Sequence, residues 1–303
     1  MRRLPAVLAT VALALTGCGT SSADGDGRGG EPVQAVAAFY PLHFLLERVG
    51  GGDVAIEDLA KPGAEPHDLE LTPRQVGRLS TADLVVYEKG FQPAVDDAVD
   101  QQAVGHALDV AAVQPLATGY VPIVEGELAQ DGQRNDPHIW LDPTRMSALA
   151  GAVGDRLAQL RPAQAQQIRD RTAALQGELA ALDGEFRTGL ARCDRKDIVT
   201  SHNAFGYLAQ RYGLNQVGIT GLTPEQEPTP GRLADVARFA RENGVTTIFF
   251  EDLVSPKTAQ SLADEVGARA EVLSPIEGRP ETGDYLTAMR ADLAALRTAL
   301  GCA

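Results

Sequence analysis

The stretch PAQAQQIRDRTAALQGELAALDGEFRTGL, residues 162–190, carries the strongest helical pattern in the chain. Pro162 suits the first turn of a helix, where its missing N–H is not needed. Beyond it Ile168, Leu175, Leu179, Leu182, Phe186 and Leu190 recur at intervals of 7, 4, 3, 4 and 4. That spacing draws one apolar stripe along a helix of about 29 residues, about 43 Å long at 1.5 Å per residue. No glycine interrupts it before Gly177 and Gly184. Such a helix is expected to brace what lies on either side rather than act as a hinge.

On both sides the chain alternates strand and helix. Ahead of the stretch, VQAVAAF (33–39) reads as a buried strand and PLHFLLERVGG as an amphipathic helix. VAIEDLA (54–60) is a second strand, TPRQVGRLSTA a helix, and LVVYEK (84–89) a third strand. After the stretch come DIVTSH (197–202), a helix around AFGYLAQRYG, and NQVGIT (215–220). The helix TPGRLADVARFARENG, the strand TTIFFED (246–252), the helix SPKTAQSLADEVG and the strand AEVLSP (270–275) follow. TGDYLTAMRADLAALRTAL closes the chain as a helix. This rhythm predicts an α/β protein with parallel sheets covered by helices. The expected organisation is two βαβ-type lobes, 32–161 and 191–303, joined by a rigid linking helix over 162–190.

The first residues point to export. Arg2 and Arg3 precede the apolar run LPAVLATVALAL, which ends in Leu15-Thr16-Gly17-Cys18. The run is too short to span a bilayer but suits a secretory signal, and its end resembles a bacterial lipobox. The expectation is a signal peptide over 1–17, a lipid on Cys18, and a flexible tether over 18–31, where GTSSADGDGRGGE has almost nothing to bury. The folded part would then stand outside the cytoplasm, held to the membrane by that lipid. Net charge is −14, and loss of Arg2 and Arg3 with the leader would take it to about −16. An acidic surface disfavours nucleic acid and attracts cations. With Cys18 lipidated, Cys193 and Cys302 remain, an even pair that suggests a disulfide in an oxidising compartment, with two buried free thiols as the alternative.

Five histidines are present. His43 lies on a helix beside apolar neighbours, and His106 lies in AVGHALDVA; a structural or solvent-facing place is expected for both. His67 in PGAEPHDLEL, His138 in NDPHIWLDP and His202 in TSHNAFGYL each follow a strand or turn. In an open α/β sheet ligands bind beyond the carboxyl ends of the strands, so the three histidines are expected to converge between the lobes as a metal site. Glu277 in LSPIEGRPETG, after the last strand, is the expected fourth ligand. Glu251, at the end of TTIFFED, competes with it or supports a ligand from behind. Asp68 or Asp142 is expected to orient an imidazole through its other nitrogen.

PGAEPHDLELTP, NDPHIWLDP, TSHNAFGYLAQRYGL, FFEDLVSPKTAQSLADEVGA and LSPIEG together resemble the motifs of zinc- and manganese-binding lipoproteins of bacterial ABC importers, the cluster A solute-binding proteins with a rigid linking helix. The motifs stand in the family's order and cover nearly all of the chain after the leader. The resemblance implies metal held between two lobes and delivered to a membrane permease with a cytoplasmic ATPase. Carried over by motif, His67, His138, His202 and Glu277 are the ligands. Manganese-type relatives have glutamate at the third position and end in aspartate; His202 and Glu277 place this chain with the zinc-type branch. Three nitrogens and one carboxylate also suit borderline-soft Zn²⁺ better than Mn²⁺. One departure stands out: the segment before His138, residues 119–135, lacks the histidine-rich loop of many zinc-type relatives.

The expected function is therefore extracytoplasmic capture of Zn²⁺ by a monomer that binds no nucleic acid. Manganese capture is the nearest alternative. A surface adhesin and a secreted zinc hydrolase stand further off; the chain carries neither HExxH nor G-x-S-x-G, and four protein ligands leave no place for a catalytic water.

Overall fold

The structure is a computed structural model in which residues 31–116, 135–224 and 226–303 are described. The signal peptide, Cys18 and nearly all of the tether therefore lie outside the described residues, as does the segment 119–135 apart from Asn135. Residues 31–303 pack as one body.

Two four-stranded parallel sheets organise that body. The first has the order β2-β1-β3-β4, from β1 (Val33–Ala37), β2 (Val54–Asp58), β3 (Leu84–Tyr87) and β4 (Ala107–Asp109). The second has the order β6-β5-β7-β8, from β5 (Asp197–Thr200), β6 (Asn215–Gly218), β7 (Thr247–Phe250) and β8 (Arg269–Val272). Val33 pairs with Val54 and Ala35 with Leu84 in the first sheet; Val199 pairs with Val217 and Ile248 in the second. The central strands are almost wholly buried, as expected where helices cover both faces of a parallel sheet.

The helices between them begin where the sequence supplies caps. In the first half these are α1 (Tyr40–Gly50), α2 (Pro73–Thr81), α3 (Pro93–Gln102), α4 (Val110–Val113) and α5 (Pro143–Leu160). Thr72 and Gln75 form a reciprocal capping box at α2, and Asp142 caps α5 just ahead of Pro143. The expected strands and helices are found within a few residues of their predicted spans; α3, the three-residue β4, the short α4 and α5 are additions. In the second half stand α7 (Gly206–Tyr212), α8 (Pro230–Glu242), α9 (Lys257–Val266) and α10 (Tyr285–Leu300).

The long helix, α6, runs from Ala165 to Gly189, after a 3-10 turn at Pro162–Gln164. Its stripe of Ile168, Leu175, Leu179, Leu182 and Phe186 is fully buried. It packs on α1 and α5 from the first half and on α10 from the second. Gly154 of α5 meets Thr172 of α6 so closely that a Cβ there would lie 2.3 Å from the hydroxyl. Arg171 of α6 donates to the carbonyls of Val49 and Gly50, covering the free carbonyl end of α1. One hydrophobic core runs unbroken from the first sheet through α6 to α10, and a smaller one lies between the second sheet and α8 and α9.

Cys193 and Cys302 form the expected disulfide, tying the chain just ahead of β5 to the end of α10 across 109 positions. Among the described residues no helix is long and apolar enough to cross a membrane.

Candidate metal site

In the second sheet the strand order reverses between β5 and β7, and the chain leaves both strands into the space where ligands bind in open α/β sheets. His202 follows β5, Glu251 follows β7, and Glu277 follows β8. From the first half, His67 follows β2, and His138 opens the short 3-10 turn Ile139–Leu141 ahead of α5.

The structure brings His67, His138, His202 and Glu277 together, with one donor atom from each inside a common 4.8 Å span. Glu277 Oε1 lies 3.3 Å from His67 Nε2, 3.3 Å from His138 Nε2 and 3.6 Å from His202 Nε2. The Nε2 atoms of His138 and His202 are 3.2 Å apart. Tetrahedral ligands at about 2.0–2.1 Å from a zinc ion stand about 3.3 Å from one another, which is the spacing of these four measured edges. All four residues are buried, and Glu277 Oε2 has no hydrogen-bond partner among the described residues. An acceptor carboxylate and three imidazoles, buried and with their donor atoms gathered together, suit a small cation.

Two rings are oriented from behind by carboxylates. Glu251 Oε1 is 2.6 Å from His202 Nδ1, and Asp136 Oδ1 is 2.8 Å from His138 Nδ1. Each arrangement leaves Nε2 unprotonated and facing inward when the other nitrogen donates. Asp136 is a ring-orienting group beyond those expected from the sequence. Its signal is the Asp-Pro-His spacing, since the same Oδ1 also accepts the His138 backbone N–H at 3.0 Å in a local turn. The expectation for Asp68 and Asp142 is corrected. Asp142 caps α5 through Thr144 and faces Arg211 at 3.4 Å, while Asp68 is exposed at the rim of a cavity.

That cavity, about 590 Å³, lies between the halves, lined by Phe91, Asn135, Leu222 and Thr223 among others. His67 is the only one of the four clustered residues on its wall.

The rings differ in proton affinity. Burial would depress all three, and at His67 it prevails, so its pKa is lowered. At His138 burial is outweighed by Asp136 and Glu277, so its pKa is raised. At His202 burial is outweighed by Glu251 and then Glu277, and its pKa stands well above the usual value. Burial would raise the Glu277 carboxyl, but hydrogen bonds from His138, His202 and His67 hold it well below the usual range.

The remaining histidines lie elsewhere. His43 on α1 bonds Asp58 through Nδ1 at 2.7 Å and accepts from Arg279 at Nε2, and His106 meets the Leu79 carbonyl at 2.7 Å.

Residues 35–299 match the model of a family described as "Zinc-uptake complex component A periplasmic". The chain is 32% identical over 311 residues to the high-affinity zinc uptake system protein ZnuA of Bacillus subtilis, covering 97% of this chain and 96% of that protein. It superposes on the laminin-binding protein of Streptococcus agalactiae, described as bifunctional with adhesin and metal-transporting activity, at a TM-score of 0.79 and 32% identity, covering 89% of this chain and all of that one. Zinc-bound AdcA of Streptococcus pneumoniae superposes at a TM-score of 0.75 and 30% identity over 89% of this chain and 58% of that one. The chain thus spans little more than half the length of the streptococcal AdcA proteins it matches.

Proposed function

Since the chain belongs to the ZnuA family of periplasmic zinc-uptake components, we propose that its own His67, His138, His202 and Glu277 hold one Zn²⁺ as cargo. The observation that carries this reading is the buried cluster of three imidazoles and one carboxylate, with Glu277 Oε1 3.3–3.6 Å from all three Nε2 atoms and the His138 and His202 Nε2 atoms 3.2 Å apart. Zinc is favoured over manganese because three of the four donors are imidazole nitrogens. Four protein donors complete a tetrahedron, which suits holding rather than hydrolysis.

Residues 32–161 and 191–303 serve as two lobes in this account, and the 162–190 segment as the strut between them. The continuous core through α6 favours small relative movement. The chain acts outside the cytoplasm, Cys18 supplies a lipid anchor, and the bound ion passes to an ABC permease driven by a cytoplasmic ATPase. The protein works as a monomer.

Zinc binds only unprotonated imidazole. Because His138 and His202 have raised pKa values in the metal-free protein, protons compete with the ion already near neutral pH. Lowering the pH fills those sites, so affinity falls as pH falls. Glu277 stays ionised throughout this range and adds no slope. Titration calorimetry at pH 7 in buffers of differing ionisation enthalpy should show a stoichiometry of one and a net release of protons as zinc binds. Affinity that rises on acidification, or no proton release, would count against the site.

Replacing Glu251 by Gln tests the support behind His202. Loss of such a carboxylate typically costs about 10–100-fold in metal affinity, and a fall in that range is expected from competition with a chromophoric chelator. An unchanged affinity would make Glu251 a bystander.

A further inference from the structure

We propose that Trp140 is a positioning residue for Glu277: its indole N–H, together with the left-handed backbone of Ile276, aims the carboxylate at the three imidazoles. The inference rests on the zinc-site reading above and assigns a role to residues outside the ligand set.

Glu277 does not sit on a regular element. The last ladder bond of β8 is from the Leu273 amide to the Phe250 carbonyl, and the chain then runs free through Ser274, Pro275 and Ile276. What holds this run is specific. The Ser274 amide donates to Asp292 at 2.9 Å, and the Ile276 amide donates to the Ser274 hydroxyl at 3.2 Å. The Pro275 carbonyl accepts from Trp140 Nε1 at 2.7 Å, a bond between segments 135 positions apart.

Ile276 has φ +56°, and among the described residues no other non-glycine residue has a positive φ. A β-branched side chain rarely adopts that conformation and keeps it only where the surroundings over-determine it. Here they do, because the Ile276 side chain is buried in the main core between its two hydrogen-bonded neighbours. The turn at Ile276 is what carries the next residue into the site.

Trp140 is itself fixed. Its ring packs edge-on against Phe39 at 4.8 Å and beside Phe91 at 5.4 Å, and its carbonyl accepts from the Tyr285 hydroxyl. It lies two residues after His138, and Pro275 lies two residues before Glu277. The bond between them therefore couples the two ligand-bearing segments directly. A buried tryptophan commonly finds some acceptor for its N–H; an acceptor adjoining the strained turn beside a site carboxylate gives the bond a further consequence.

The chain has one tryptophan, so biosynthetic replacement of tryptophan by 3-benzothienylalanine, whose sulfur takes the place of the ring N–H, alters this position alone. Zinc affinity, measured by chelator competition, should fall at least fivefold with the analogue, and Ile276→Gly should act likewise. In a Glu277→Ala background either change should cost less than twofold, because no carboxylate remains to aim. Equal losses in both backgrounds, or no loss in either, would overturn the proposal and leave Trp140 a packing residue. Thermal melting of the metal-free proteins separates a folding defect from an affinity change. If the unsubstituted protein took up no zinc, the reading of the site itself would fall, and this inference with it.

Discussion

His202→Ala should lower zinc affinity by at least about 100-fold and also destabilise the metal-free protein. The first effect follows from losing one of four donors, since each ligand carries a share of a binding free energy on the order of 10 kcal/mol or more. The second follows from what stands behind the ring. Glu251 is buried, and its Oε1 faces His202 Nδ1 at 2.6 Å. Removing the imidazole leaves the carboxylate with the Ser201 hydroxyl and no cation. Breaking a buried charged pair from one side costs about 3–5 kcal/mol. Pairing His202→Ala with Glu251→Gln separates the two effects: the double variant should regain much of the lost stability without regaining zinc. Chelator competition and thermal melting, run on the same samples, read both. A single variant that binds zinc normally would remove His202 from the ligand set.

Replacing both Cys193 and Cys302 by Ala should give the opposite pattern, a large loss of stability with little change in zinc affinity. The bridge closes a loop between positions 109 apart, which the chain-entropy account values at about 4–5 kcal/mol. For a body of this size that corresponds to a fall in melting temperature of roughly 10 °C. The bridge enters β5 from its amino end, beside main-chain bonds from Asp194 to Gly301 and from Arg195 to Leu300. His202 leaves the same strand at its carboxyl end. Zinc affinity should therefore stay within a few-fold, as melting with and without saturating zinc would show. A loss of binding as deep as that of His202→Ala would mean that the second sheet depends on the bridge for its shape.

The long helix and the βαβ rhythm were legible because buried parallel strands and one-sided helices leave strong periodic patterns. Pro162 marked the start of the long helix, though the chain takes a 3-10 turn there and enters α-helix only at Ala165. The convergence of His67, His138, His202 and Glu277 could be read from motifs that each end a strand or turn. Asp136 was not visible as a ring-orienting group, because its place depends on the turn it makes with His138. Asp142 looked equivalent in sequence, but the helix start at Pro143 takes its side chain as a cap. Nor did the sequence reveal the conformation of Ile276, which is imposed by contacts from distant parts of the chain.

The measurement that tests the account most directly is a metal count on the chain from residue 31 onward. The protein would be stripped with a chelator, offered Zn²⁺ and Mn²⁺ in equal amounts, desalted, and assayed by elemental mass spectrometry. One zinc per chain and only traces of manganese are expected. A chain that emerges filled with manganese, or with no metal at all, would contradict that expectation.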